Sequence, residues 1–324
     1  MPLIESTYRA PLWLPGAHLQ TIGSARLVPQ PRVEYRRERW DTPDGDFVDV
    51  DFALPEPGDA KAPVLVLFHG LEGCSQSHYA RSVMRSAADH GWRGLVPHFR
   101  GCSGEPNRLP RAYHSGDSAE GDWILRAVAR RYPAARLHAV GISLGGNMLA
   151  KWLGERGTDA GFVAAAASIG SPLDLAAGGA ALARGFNLLY TKMFLATLKS
   201  KALEKLARFP GSTSAEAVRE SRKLYDFDNA YTAPVHGFRD TDDYWSRASG
   251  KPHLGGVEVP HLVLNARNDP FVPAASLPRV TEVSRFVHLE QPEEGGHIGF
   301  ARGSLPGDLG FLPERLFRFF EQGQ

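Results

Sequence analysis

Leu137-His138-Ala139-Val140-Gly141-Ile142-Ser143-Leu144-Gly145-Gly146-Asn147-Met148-Leu149-Ala150-Lys151-Trp152 begins as a short apolar run, turns at a serine between glycines, and continues as helix-forming sequence. The apolar run reads as a strand buried on both faces. The G-x-S-x-G element at 141–145 reads as a sharp strand-to-helix turn that lifts the serine hydroxyl above the end of a sheet. Small flanking residues let such a turn close and let the helix approach the strand.

The same pattern recurs to either side. Val64–Phe68, Leu95–Phe99, Val163–Ile169, Val259–Leu264 and Phe286–Leu289 are apolar runs that stop at Gly-, Asn-, Asp- or Pro-containing loops. Helical stretches at Tyr79–His90, Asp117–Arg131, Gly146–Arg156 and Leu312–Glu321 alternate with them. Alternating strand and helix predicts a doubly wound α/β sheet, whose functional residues gather at the carboxyl ends of the strands. Residues 33–40 and 46–54 alternate like strands around Thr42-Pro43-Asp44-Gly45, a hairpin signal. The first thirty residues are Pro-rich and read as an irregular arm on the surface. The mixed-charge run Arg36-Arg37-Glu38-Arg39 reads as a solvated face. Residues 172–256 break the alternation and are too long for a plain connection, so they read as an inserted helical cap. The expected organisation is an arm and hairpin over 1–60, core over 61–171 and 257–324, and the cap between.

Composition narrows the function. Lys+Arg 37 against Asp+Glu 36 leaves no basic excess for nucleic acid. Cys74 and Cys102 make neither a disulfide framework nor a metal spacing, and whether they are neighbours stays open. The amino terminus lacks the pattern of a secretory signal, and no apolar run approaches the ~18 residues of a spanning helix. A cytoplasmic location is therefore expected, with peripheral membrane contact left open.

A serine hydroxyl is a weak nucleophile until a base takes its proton. In a sheet of this kind the partners follow in the order Ser, Asp or Glu, His. Ser143 is the candidate nucleophile. Asp269, after His261-Leu262-Val263-Leu264, is the candidate acid, and Asp174 occupies another position from which a carboxylate could reach. His297, after Gly295-Gly296, is the candidate base. The backbone N–H groups of Leu71 and Leu144 are the candidate oxyanion donors. His69 reads as a structural loop residue, and Asp240, Asp242 and Asp243 as solvent or hinge charges. Phe186, Tyr190 and Met193, with Leu189 and Phe194 beside them, read as candidate substrate-binding residues of an acyl pocket, although their helical spacing fits plain core equally well. No metal-ligand cluster and no phosphate loop with its Lys is present, so no metal and no cofactor are expected.

GAHLQT (16–21), FHGLEG (68–73), FRGCSGEPN (99–107), YHSG (113–116), GISLGGNMLAKWLGE (141–155), APVHGF (233–238), DYWSRAS (243–249), ARNDPFVP (266–273) and GGHIGF (295–300) together resemble the YheT-like branch of the α/β-hydrolases. The resemblance covers about Leu12 to Phe300. It implies an α/β-hydrolase fold: a mostly parallel central sheet, helices on both faces and an inserted helical cap. It also implies a Ser143–His297–Asp269 triad and a carboxylic ester substrate with short- or medium-chain acyl groups. The family's acid often sits in an Asp-Asp-Pro context, and here the sequence is Asn268-Asp269-Pro270. The expected partner is a small-molecule ester or lipid-like substrate, with the oligomeric state open. An acyltransferase passing the acyl group to an alcohol and a non-catalytic binding protein are the alternatives.

Overall fold

Residues 3–322 are described by a computed structural model. Among them the strands are β1 (Leu3–Ile4), β2 (Glu34–Asp41), β3 (Phe47–Leu54), β4 (Val64–Phe68), β5 (Arg93–Pro97), β6 (Leu137–Ile142), β7 (Val163–Ile169), β8 (His261–Leu264) and β9 (Val287–Glu290). They form one sheet in the order β1-β9-β8-β7-β6-β4-β5-β3-β2. β2 and β3 are antiparallel to each other, and β3 is antiparallel to β5. All other pairings are parallel.

β4 illustrates why the apolar runs are unbroken rather than alternating. Val64, Val66 and Phe68 point into one core, and Leu65 and Leu67 into the other. Both faces are covered, so each of the five positions is apolar and buried. Full burial of such a side chain is worth about 1.5–3 kcal/mol over exposure. A charge at Leu67 would have no partner and would break the strand. The first core is closed by α3 (Ser118–Arg131) and α4 (Leu144–Arg156) through Ile124, Leu125, Leu149 and Trp152. The second is closed by α2 (His78–Asp89) and α11 (Phe311–Gln322) through Val83, Met84, Leu316 and Phe317.

Three expectations need correction. The segment before β2 is no irregular arm: it contains α1 (Gly16–Arg26), and Gln20, Thr21 and Ser24 on it are buried. Nothing apolar marks the inward face of that helix, so periodicity did not reveal it. β5 starts and stops two residues earlier than read, because His98 and Phe99 leave the ladder to build the loop beside β4. The run at 36–39 is more than a solvated face. Arg37 and Arg39 lie opposite Asp51 and Asp49 in the β2–β3 register and hold these buried carboxylates in bidentate pairs at 2.7–2.9 and 2.8–3.0 Å.

Between β7 and β8 the chain forms α5 (Leu175–Leu182), α6 (Asn187–Arg208), α7 (Ala215–Glu220), α8 (Leu224–Phe227), α9 (Ala233–Val235) and α10 (Thr241–Ala248). Residues of α5, α6, α8 and α10 line a cleft that also holds Ser143 and His297.

Candidate active site

Ser143 sits between β6 and α4 with φ 52° and ψ −117°, a conformation that costs a non-glycine residue on the order of 1–3 kcal/mol. The surrounding glycines make it possible. A Cβ on Gly141 would lie 2.5 Å from Gly146 Cα, and one on Gly145 would lie 2.5 Å from Phe68 O. The turn therefore closes only with glycine at these points, and the hydroxyl is thrown toward the cleft. Four residues on, fully buried Asn147 donates to Ser115 O and Ala248 O at 2.8 Å each and accepts from Gly250 N–H at 2.7 Å. That side chain ties the serine's helix to the segment that follows α10.

His297 Nε2 lies 3.0 Å from Ser143 Oγ, and its Nδ1–H donates to Asp269 Oδ2 at 2.8 Å. The other oxygen of Asp269 accepts the N–H groups of Phe271 at 2.7 Å and Val272 at 3.3 Å. Its side chain is fully buried, and the ring of Phe271 lies 4.2 Å from that of His297. The three expected side chains, 126 and 28 positions apart in the chain, are thus joined in one hydrogen-bonded line. Asp174 is not part of it: it caps α5, accepting the Ala177 N–H at 3.0 Å. Asp240 caps α10 in the same way, and Asp242 and Asp243 bond Tyr225 and Arg247 at the surface.

The loop after β4 packs on the serine, since a Cβ on Gly70 would be 3.2 Å from Ser143 Cβ. Its N–H groups are nearly all used. Gly70 donates to Tyr79 Oη at 3.0 Å, Glu72 to Tyr113 Oη at 3.1 Å, Gly73 to Gly70 O at 2.9 Å and Cys74 to Ser77 Oγ at 3.2 Å. Among the described residues Leu71 N–H has no acceptor, and neither does Leu144 N–H at the first position of α4. His69 is fully buried, and burial, with the neighbouring His98, pushes its pKa down to about 3. The neutral ring donates from Nδ1 to Gly70 O at 2.7 Å and accepts the Phe99 N–H on Nε2 at 3.1 Å, which fixes the loop.

Two residues that sequence reasoning passed over complete the frame. Gln20 Oε1 accepts from Gly295 N–H at 2.9 Å and from Asn268 Nδ2 at 2.8 Å. Thr21 Oγ1 accepts the His297 N–H at 2.9 Å. The close approach of α1 also explains Gly296 (φ 56°), where a Cβ would be 2.8 Å from Ala17 O, while one on Gly295 would meet Phe300 at 2.7 Å and Ala266 at 2.9 Å. The only sequence signal was the GAHLQT stretch itself.

The cleft encloses about 360 Å³. Leu175, Leu182, Phe194, Leu198 and Phe271 supply apolar wall to the cleft that holds Ser143 and His297, and Lys205, Arg100 and Asn107 line it as well. Burial pushes the Lys205 ammonium down to about 8, although Asp46 opposes the shift. Cys102 also lines the cleft; both cysteines are free, and burial raises the Cys102 thiol to about 12. The structure does not bring Phe186, Tyr190 and Met193 to this wall. Phe186 and Met193 face solvent, and Tyr190 is buried edge-on against Phe271 with ring centroids 4.7 Å apart. Of the five expected residues only Phe194 lines the cleft, joined there by Leu198, while Leu189 is exposed like Phe186 and Met193, so the helix is rotated from the expected stripe. Among the described residues no group of His, Cys, Asp and Glu could hold a metal ion, and no helix is long and apolar enough to cross a membrane.

A family profile described as the alpha/beta hydrolase fold matches residues 63–303. The chain is 39% identical over 301 residues to YheT of Escherichia coli strain K12, a protein named for an inferred esterase activity, covering 92% of this chain and 88% of that one. It is 30% identical over 329 aligned residues to the phospholipase ABHD3 of Homo sapiens, covering 99% and 80% of the two chains. Among solved structures, the Pyrococcus furiosus esterase Pf2001 superposes with a TM-score of 0.57 at 16% identity, covering 92% of this chain and 98% of that one, a likeness of fold.

Proposed function

This chain belongs to the α/β-hydrolase fold family, and from that premise we propose that it is a serine carboxylesterase acting through Ser143, His297 and Asp269 on esters of short- to medium-chain acyl groups. The observation that carries the reading is the line from Asp269 through His297 to Ser143, at 2.8 and 3.0 Å.

His297 Nε2 takes the proton from Ser143 Oγ as the oxygen attacks the ester carbonyl. The carbonyl oxygen becomes an anion, which the Leu71 and Leu144 N–H groups receive; donors already in place need no reorganisation at that moment. Collapse of the adduct expels the alcohol, which takes its proton from His297. Water then attacks the acyl-enzyme by the same steps in reverse. Asp269, fixed by two backbone N–H groups, keeps the Nδ1–H tautomer and stabilises the imidazolium. We read residues 172–256 as a cap whose Leu182, Phe194 and Leu198 hold the acyl chain, in a cleft whose volume lies in the range of small-molecule sites.

Labelling with a fluorophosphonate probe and a chain-length series of p-nitrophenyl esters tests the assignment. Ser143-specific labelling, with kcat/KM peaking at a short or medium chain, is expected. An unlabelled protein that hydrolyses none of the series would overturn it.

A further inference from the structure

Exposed large apolar side chains concentrate on one face. Leu19 is 49% exposed, Phe186 52%, Leu188 47%, Leu189 48% and Met193 52%, which is five of the eleven such side chains among the described residues. The two segments that carry them touch. The ring of His18 on α1 lies 4.5 Å from that of Phe186, and His18 Nδ1 lies 3.2 Å from Tyr190 Oη. The amino-terminal half of α6 is therefore apolar on two sides. Phe194 and Leu198 look into the cleft, while Phe186, Leu189 and Met193, spaced by three and four, form a stripe toward solvent. A single exposed leucine is ordinary, but a cluster on a cleft-lining helix marks an interaction surface.

Within the two segments charge has one sign, although exposed Glu294 lies beside Gln20 of α1. No Asp or Glu occurs between Glu5 and Glu34, nor between Asp174 and Glu204. Of the cations there, Lys201 turns inward to Glu72 at 2.8 Å. Arg26, Arg184 and Lys192 are exposed and, among the described residues, have no carboxylate partner. A second copy of the chain, brought up by two-fold symmetry, would set these cations against themselves. Apolar side chains interleaved with unpaired cations suit the boundary between the head groups and acyl chains of an anionic bilayer.

We propose that the face formed by α1 and the first half of α6 docks on an anionic lipid surface, so that ester drawn from the bilayer reaches the cleft along the inner side of the same helix. The substrate-delivery part rests on the esterase reading, and the docking part does not.

Co-sedimentation with vesicles of phosphatidylcholine carrying about one-third phosphatidylglycerol, beside pure phosphatidylcholine vesicles, tests the surface. The protein is expected to pellet with the anionic vesicles at low salt. Leu188→Ser with Leu189→Ser should weaken that binding by about tenfold or more, and Lys192→Glu by several-fold, while hydrolysis of a water-soluble p-nitrophenyl ester stays within about twofold of wild type. Three results would overturn the proposal: wild-type protein left in the supernatant with both vesicle types, a Leu188→Ser/Leu189→Ser protein that binds as well as wild type, or a dimer in solution that this double substitution dissociates. Vesicle binding by a protein that hydrolyses no ester supports the surface while removing the esterase reading, so the two fail separately.

Discussion

Asn268 Nδ2 donates to Gln20 Oε1 at 2.8 Å, and through that one oxygen the loop carrying Asp269 is joined to the loop carrying His297, whose Gly295 N–H shares the same acceptor. Asn268 Oδ1 in turn accepts the Gly296 N–H at 2.9 Å. The loops of Asp269 and His297 are therefore registered against each other through the side chains of Gln20 and Asn268.

Gln20→Ala is accordingly expected to lower kcat by about 10–100-fold with little change in KM, because a small misplacement of reacting groups is costly while the acyl wall is untouched. Gln20→Glu keeps the acceptor and should recover part of the loss, although its charge faces Glu294. Steady-state kinetics beside circular dichroism checks this. Equal loss in both variants with an unfolded spectrum would mean that Gln20 only holds the fold together.

Ser143→Ala should cut kcat for an activated ester by about 10⁵–10⁶. Ser143→Gly should be as inactive and yet more stable, by about 1 kcal/mol, because glycine relieves the positive φ at the turn. Thermal melts of the two variants make the comparison. A Ser143→Gly protein that melts below the Ser143→Ala protein would contradict stored strain at the turn.

The two candidate acids separate cleanly. Asp269→Asn should lower kcat by about 10⁴, since the amide offers a donor where His297 Nδ1–H needs an acceptor. Asp174→Asn keeps the cap of α5 and should leave kcat within about twofold. The reverse ranking would exchange their roles.

Acid should destabilise the protein early. Burial pushes His69, His236 and His261 down to about 3 and His78 and His138 down to about 4. Below the ordinary histidine range, about 6.5, the unfolded chain binds protons that these five native rings refuse, so stability falls as pH drops. Two carboxyls oppose this: burial raises Glu120 to about 7 and Asp228 to about 6, so the native state takes up their protons first. Five groups outnumber two, and Tm is expected to fall by more than about 10 °C between about pH 6.5 and about pH 4.5. Melts at constant ionic strength measure it. A flat or rising Tm over that window would show that these rings titrate normally.

What the sequence disclosed follows from what patterns encode. β4, β6 and β7 lie within the apolar runs read from composition, because burial on both faces leaves no alternative residue type. Ser143, Asp269 and His297 could be named as candidates because each follows such a run, where glycine and proline mark the turn. Gln20 and Thr21 were missed for the opposite reason: they are polar groups buried by hydrogen bonds to loops some 250–275 residues away, and no local period records such a partnership. Phe186 and Met193 were misplaced because periodicity gives the spacing of a stripe but not the rotation of the helix that carries it.

The clasp between α1 and the loop after β9 also sets an order of events during synthesis. Gln20 leaves the ribosome early and must wait for Gly295, 275 positions later, before its acceptor is filled. Local helices and the central strands can assemble meanwhile, but the last loop to emerge is the one that brings the imidazole. Closure over so long a span is slow compared with local contacts. Ser143 therefore gains its imidazole partner only when the segment carrying Gly295 to His297 meets the helix carrying Gln20 and Thr21.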